Sequence, residues 1–383
     1  MSLNPVHAVL VEYGEKSFTI SLLKDLLSCG VSAITVVDNG TPDKLESIST
    51  EDICEILQDK FNHNLDNVDS DNVDSDNVGF DNVGFDTVEL NNKSYLPVRV
   101  IRSEINRGFG AAVNTALISL NSATQDMDLF TFDKASSKII VQSVKSGNGM
   151  QYGAIFAPYK QPYVLVTNSD IEIENQVIGK LVELLEANDE VGLIAPALKN
   201  PDLTVYPSAR RFPSPLDAAG HAIGSIFMPN NRFSKRYKGF DTEAVIEKKE
   251  ELYQVDWVSG AFFLVRTSDF IKVGGFDEGF FLYLEDVDLC YRICLAGKKV
   301  GYCKKYSVKH VGSASSWDNK KKILNHHISA YKFEKKSAKK FRKTLLPVAF
   351  LILVTRGFIL LSKDKLSSIY KSHQSKIKGS NFY

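Results

Sequence analysis

His7–Gly40 reads HAVLVEYGEKSFTISLLKDLLSCGVSAITVVDNG, and its three parts have different periods. His7–Glu12 is a short apolar run that stops near Gly14. Phe18–Leu27 then places apolar residues at helical spacing, and Ser32–Val37 is a second apolar run, closed by Asp38-Asn39-Gly40. Two continuous apolar runs around a helical segment make a βαβ unit, the opening of a parallel sheet. Val98–Ile101 and Tyr163–Thr167 add strands, each followed by polar or glycine-rich residues. Doubly wound sheets place their ligands at such strand ends. The fold class is α/β, with a mixed but mainly parallel sheet.

The 383 residues allow two domains, or one large α/β domain with an appendage. A composition 44% hydrophobic and 24% charged excludes a wholly disordered or fibrous chain. The formal net charge of zero hides a division. Lys298–Tyr383 holds 21 Lys/Arg against 3 Asp/Glu, a net of +18, which leaves −18 for the rest. A basic segment of this strength implies an anionic partner or surface. Cys29, Cys54, Cys290, Cys294 and Cys303 are odd in number and contain no CxxC pair, so neither a disulfide framework nor a structural zinc site is expected. The N-terminus lacks a signal-peptide pattern, and a reducing cytoplasm fits best.

Asp66–Val88 repeats a five-residue unit, DNVDS then DNVGF, too short for a solenoid and acidic enough to stay solvated. It is expected to be a loop with no assigned role. Alternating runs at Leu129–Phe132 and Lys138–Val144 suggest a hairpin inserted within about 127–162. Leu345–Val354 is nearly all apolar, but Arg356 and Gly357 interrupt it before Phe358–Leu361. Roughly 18 uninterrupted apolar residues cross a bilayer, and this run falls short. An interfacial helix is expected, with Lys335, Lys336, Lys339, Lys340, Arg342 and Lys343 beside anionic headgroups. The plainer alternative is a helix packed on the core or on another subunit. The tail lacks aromatics interleaved on a recognisable module, so no nucleic-acid partner is expected.

The strand Tyr163–Thr167 delivers Asn168-Ser169-Asp170, where one carboxylate could hold a hard cation that shares phosphate oxygens of a substrate. An acid there is as often a simple cap or turn residue. Asp38 could take a ribose or base, or Asp-Asn-Gly could be only a β-turn. Asn106–Leu117, NRGFGAAVNTAL, offers Gly108 and Gly110 at a strand-to-helix turn with anion-binding N–H groups. The richest stretch is Asp256–Arg292, where Glu285, Asp286 and Asp288 arrive together beside Phe280–Leu284. Three acids beside aromatics are costly to bury unless they bind a cation or exchange protons. They also suit a helix N-terminus. His310 gains interest only if Asp170 holds a metal.

Taken in order, VVDNG at Val36, NRGFGAAVN at Asn106, VLVTNSD at Val164, VSGAFFLVR to LEDVDLCYR at Val258–Arg292, and KHVGSAS at Lys309 resemble family 2 glycosyltransferases of the GT-A fold. The nearest likeness is to the rhamnosyltransferase-like branch that builds bacterial surface polysaccharides. The resemblance implies a transferase domain over 1–316 and a basic helical extension over 317–383. It places the nucleotide against Asp38, Asn106, Gly108, Asn114 and Asn168. It makes Asp170, with His310, the ligand of Mg²⁺ or Mn²⁺, although Asn168 stands where the family's first Asp falls. It casts Asp286 as catalytic base with Glu285 as neighbour. No Gln-x-x-Arg-Trp follows Asp286, so addition of a single sugar is implied rather than processive synthesis.

The implied activity is inverting transfer from dTDP-rhamnose, or behind it a UDP-sugar, to a saccharide or lipid-linked acceptor. The implied location is cytoplasmic, peripheral at the inner face of the membrane. A non-catalytic nucleotide-sugar or glycan-binding module is the alternative from another class. A nucleotidyltransferase would show a glycine- and basic-rich loop after the first strand, where this chain has Glu12-Tyr13-Gly14-Glu15. Arg210 and Arg211, in SARRFPSP, could face a diphosphate or an acidic acceptor.

Overall fold

A computed structural model of the chain describes residues 4–40, 46–66, 88–90, 93–103, 105–117, 127–133, 138–144, 161–174, 176–213, 252–312, 319–338 and 340–380. The interior of the pentapeptide repeat, the 145–160 part of the insertion and the end of the KHVGSAS motif lie outside the described residues.

The opening motif forms β1 (Asn4–Glu12), α1 (Lys16–Ser28) and β2 (Val31–Asn39), with β1 and β2 parallel from His7↔Ala33 to Glu12↔Asp38. Next come α2 (Thr50–Asp66), β3 (Val88–Leu90), β4 (Lys93–Ser103) and α3 (Phe109–Leu117). Strands β5 (Met127–Asp133) and β6 (Lys138–Val144) pair antiparallel beyond β4. The middle of the chain supplies β7 (Tyr163–Asn168), β8 (Ile171–Ile173), α4 (Val177–Glu186), β9 (Val191–Lys199), β10 (Val205–Tyr206) and β11 (Ala209–Arg210). After it follow β12 (Tyr253–Val255), β13 (Trp257–Val258), β14 (Phe262–Arg266), α5 (Thr267–Lys272), α6 (Glu285–Leu295) and β15 (Lys299–His310). The C-terminal helices are α7 (Asn319–Ser337), α8 (Lys340–Lys343) and α9 (Leu346–Ser380).

The main sheet has the order β12-β15-β9-β14-β7-β1-β2-β4-β5-β6. Strands β15, β9, β7, β1, β2 and β4 point the same way, and β14 runs against them between β7 and β9. Alternate residues of each inner strand face opposite layers. Ala8 and Leu10 pack with Leu22, Leu26, Leu57 and Leu181, whereas Val9 and Val11 pack with Val113, Ala116, Leu289 and Ile293. That two-sided burial is why the strands read as continuous apolar runs rather than alternating ones.

A few polar groups tie this core together. Thr35 Oγ1 sits 2.8 Å from His7 Nε2 and accepts from Arg99 Nε at 2.9 Å. Burial, aided by the Arg99 charge, pushes His7 down to about 3, so it stays neutral. Glu12, at the end of β1, accepts from Thr19 Oγ1 and from the Ile48 amide, which fixes the chain entering α2.

Helix α7 is built into the body of the fold. Its Phe333 packs with Phe280 and Val287, and Phe212 and Tyr291 close around them. The two apolar runs expected to be separate are continuous in α9, because neither Arg356 nor Gly357 breaks a helix. The window Leu346–Lys363 reaches 18 residues with mean hydropathy 1.8, so length and composition alone do not exclude a membrane span. This corrects the expectation that the run is too short. Arg356 Nη1, in mid-window, lies 3.0 Å from His327 Nε2 of α7.

Candidate active site

The C-terminal ends of β1, β2 and β7 open onto a cavity of about 480 Å³, the crevice that a doubly wound sheet reserves for ligands. Tyr13, Asn39 and Asn168 line it from the strand ends. Asn39 Oδ1 accepts from the Arg107 amide, and Asn39 Nδ2 donates to Asn106 Oδ1 and to the Gly108 carbonyl. Asn106 Oδ1 in turn accepts from the Gly108 amide at 2.8 Å. Gly108 holds φ +93, and a Cβ there would run into the Phe281 carbonyl. Only glycine lets this turn lie so close to the opposite wall.

Asp170 stands at the same rim, 7% exposed. Strand β8 pairs antiparallel with β15 in a register that sets His310 against Ile171. His310 Nε2 is thereby brought to 3.1 Å from Asp170 Oδ1. Among the described residues no cluster of three or more His, Cys, Asp or Glu side chains could hold a metal. The Asp170 carboxylate is a donor of the kind that suits Mg²⁺ or Mn²⁺, ions that take few protein ligands and share substrate phosphate oxygens.

Glu285 and Asp286, in the first turn of α6, line the same cavity. Asp286 is half-buried and fixed through both oxygens: Oδ2 accepts from the Gly260 amide at 2.9 Å and Oδ1 from the Val287 amide at 2.8 Å. Burial raises the Asp286 carboxyl, while those amides and the Arg210 charge pull it back. Glu285 is more enclosed, and its Oε2 has no hydrogen-bond partner. Burial, and then the Asp286 charge, push Glu285 up to about 8. Burial holds both carboxyls above the ordinary range, and Glu285, with the Asp286 charge beside it, is raised to the point of keeping a proton near neutral pH.

The approach to this helix is strained and then held. Tyr283 and Leu284 both take left-handed backbone, φ 67 and 64, which costs of order 1–3 kcal/mol each for such residues. Helix α7 restrains the segment: Ser329 Oγ donates to the Leu282 carbonyl, and Lys332 Nζ to that of Gly279. Lys336 Nζ lies 2.6 Å from Asp277 Oδ2 and 2.7 Å from Oδ1 of fully buried Asp288. Arg292 Nε holds the other Asp288 oxygen at 2.7 Å. Lys336→Met removes one partner of a buried carboxylate, at a cost of about 1–3 kcal/mol. The expected result is a lower melting temperature and a turnover loss larger than any change in donor KM. Unchanged turnover in a folded Lys336→Met protein would contradict the restraint.

The structure brings Asn106, Gly108, Asn168, Asp170, His310, Glu285 and Asp286 to one cavity. Asp38 does not line it. Asp38 is half-buried one residue earlier, paired in register with Glu12 and Arg102, and the neighbouring Asn39 takes the lining position. Asn114 also lies outside the lining. Its Nδ2 donates to the Phe276 carbonyl and to Glu278 Oε1, and its Oδ1 accepts from the Phe276 amide. It ties α3 to the segment that leads to α6. Sequence reasoning missed Tyr13, Asn39 and Gly260. Tyr13 and Asn39 could have been found from the rule that strand ends face the ligand. The amide of Gly260 carries no side-chain signal.

No family model matches the chain. It is 31% identical over 240 residues to the N-acetylglucosaminyl-diphospho-decaprenol L-rhamnosyltransferase of Mycobacterium tuberculosis, spanning 62% of this chain and 67% of that protein. It is 49% identical over 65 residues to the rhamnosyltransferase WbbL of Escherichia coli K12, 16% of this chain and 25% of that one. Among solved structures, the mannosyltransferase PcManGT of Pyrobaculum calidifontis in complex with GDP-Man and Mn²⁺ is similar at 11% identity and a TM-score of 0.43, covering 98% of this chain and 85% of that one. The mixed α/β chain is a glycosyltransferase. Within that class it belongs to the rhamnosyltransferase-like family that its mycobacterial relative represents.

Proposed function

We propose that the chain moves one sugar, with inversion, from a nucleoside-diphosphate donor to a saccharide or lipid-linked acceptor in cell-surface polysaccharide synthesis. The observation that carries this reading is the convergence of two dissimilar groups on one cavity, the Asp170–His310 pair and the Glu285–Asp286 pair. The names of the relatives make rhamnose the first sugar to test, and the sequence resemblance puts dTDP ahead of UDP as its carrier. They also favour a saccharide joined through a diphosphate to a lipid as acceptor.

Asn39, Asn106 and Gly108 shape the wall against which the nucleotide lies, and Asn114 holds the opposing segment in place. A Mg²⁺ or Mn²⁺ at Asp170 and His310 would neutralise charge developing on the leaving diphosphate. Asp286, oriented by two amides, takes the proton of the acceptor hydroxyl as its oxygen attacks the anomeric carbon. The new bond joins that oxygen to the anomeric carbon, and the bond from this carbon to the diphosphate oxygen breaks. Attack from the face opposite the leaving group inverts the centre. Protonated Glu285 keeps a second negative charge away from the anionic donor.

The membrane contact we infer is peripheral. Val348, Leu351 and Phe358 of α9 are 53%, 64% and 72% exposed, an apolar surface beside the lysines of α7. A span would carry Arg356 and the lysine-rich helix alongside it into hydrocarbon, at several kcal/mol for each charge. Docking flat at the cytoplasmic face of the membrane satisfies both surfaces.

A thermal-shift panel tests the donor class. dTDP with Mn²⁺ is expected to raise the melting temperature by a few degrees, more than UDP or GDP, and dTDP with chelator much less. Absence of a shift with every nucleoside diphosphate would sink the reading.

A further inference from the structure

A second cavity, of about 460 Å³, adjoins the first and shares Ser259, Tyr283, Glu285 and Asp286 with it. The carboxylate pair therefore lines both cavities, where a group held in one can meet a group held in the other. The first chamber carries the Asp170–His310 pair, and the second does not. What the second carries is positive charge on Arg210 and Arg211, with His326 in the same lining. Among the described residues Asp256 is the one other acid that lines it, and its Oδ2 is already engaged by the Phe212 amide.

Arg210 is the organised member of the group. Its Nε donates to the Pro207 carbonyl at 2.8 Å, and its guanidinium lies over the Trp257 ring, 5.4 Å from the centroid. The indole is itself fixed, since Trp257 Nε1 donates to the Arg211 carbonyl. The two terminal nitrogens of Arg210 make no hydrogen bond to a described residue. A guanidinium held by its inner nitrogen and one face, with its outer fork unbonded among the described residues, is preorganised for a planar or tetrahedral oxyanion. Arg210 lies close enough to Asp286 for its charge to act on that carboxyl.

We infer that this second cavity is the acceptor site and that Arg210, with Arg211 and His326 beside it, binds the diphosphate of a saccharide diphosphate. The saccharide ring then lies between Arg210 and Asp286, with a hydroxyl presented to the base. The inference rests on the transferase reading and adds to it the residues that select the acceptor. Helix α7, which carries His326, also packs against α9, so a lipid attached to the diphosphate would leave the cavity toward the apolar surface proposed to meet the membrane.

The test compares acceptors. Wild type, Arg210→Ala and Arg210→Lys full-length proteins are assayed with one donor and three forms of one saccharide: its diphosphate on a short isoprenol, the same diphosphate on a nucleoside, and the methyl glycoside. The expected result is a wild-type preference for the diphosphate forms over the glycoside, reduced ~10- to 100-fold in Arg210→Ala. Arg210→Lys, which keeps the charge but not the fork, should fall between. Preference for the isoprenol form over the nucleoside form identifies the lipid as the source, and dependence on Arg210 in either arm supports the inference. An unchanged preference ratio in both variants, or no wild-type preference for diphosphate, overturns it while donor cleavage leaves the transferase reading intact. A wild-type protein that cleaves no donor overturns both.

Discussion

Asp286→Asn is expected to lose ~10²–10⁴ in transfer rate, the usual contribution of a positioned base, while its affinity for the nucleotide-sugar stays close to wild type. The nucleotide contacts proposed here are Asn39, Asn106 and Asp170, at the strand ends, and residue 286 is not among them. Both Asp286 oxygens accept a backbone N–H, so an asparagine turns its amide N–H₂ toward one donor. The resulting local cost, about 1–3 kcal/mol, calls for a melting curve beside each assay. Glu285→Gln is the contrast. Glu285 is protonated near neutral pH, so a neutral amide imitates it, and the variant should stay within a few-fold of wild type at pH 7.

The pH profiles of these proteins carry the sign. As pH falls, wild type and Glu285→Gln should lose activity together as Asp286 takes a proton, above the ordinary carboxylate range because burial raises it. As pH rises through about 8, only wild type should change, because only it has a Glu285 proton to release. Equal losses in Asp286→Asn and Glu285→Gln at pH 7 would pass the role of base to Glu285. Equal loss of binding and turnover in Asp286→Asn would make residue 286 structural.

Asp170→Ala is expected to lose at least ~10-fold in nucleotide affinity when Mn²⁺ is present, and little when chelator is present. Removing the carboxylate leaves His310 as a single candidate ligand and breaks their 3.1 Å contact. Titration of dTDP into both proteins, with Mn²⁺ and with chelator, separates a metal ligand from a residue that merely shapes the rim. If wild type binds dTDP equally in both conditions, Asp170 holds no catalytic cation.

The legible parts of the sequence were those in which one residue type has one physical use. Continuous apolar runs joined by a helical segment gave β1, α1 and β2, and Asn168-Ser169-Asp170 fell at a strand end as its position required. The acids of α6 were readable because three carboxylates beside aromatics need a reason to be there. What stayed hidden depends on contacts across long separations. Asn114 resembled a nucleotide contact, yet its amide is spent on Phe276, 162 residues away. Asp38 and Asn39 are equivalent in sequence, and only the direction of the β2 side chains decides which faces the cavity. Lys336 belonged to a lysine-rich stretch read as facing headgroups, with packing on the core as the plainer alternative, and nothing local marks it as the partner of Asp277 and Asp288. The second cavity is assembled from residues 206–213, 256–259, 283–287 and 326, a grouping no single motif contains.

Incubation of the purified full chain with dTDP-rhamnose, Mn²⁺ and a saccharide-diphosphate lipid, followed by NMR of the product, addresses the central claim most directly. We predict release of dTDP, one rhamnose per acceptor, and an anomeric configuration opposite to that of the donor. A product that retains the donor's configuration, or an intact mixture after a UDP-sugar has also been tried, would contradict it.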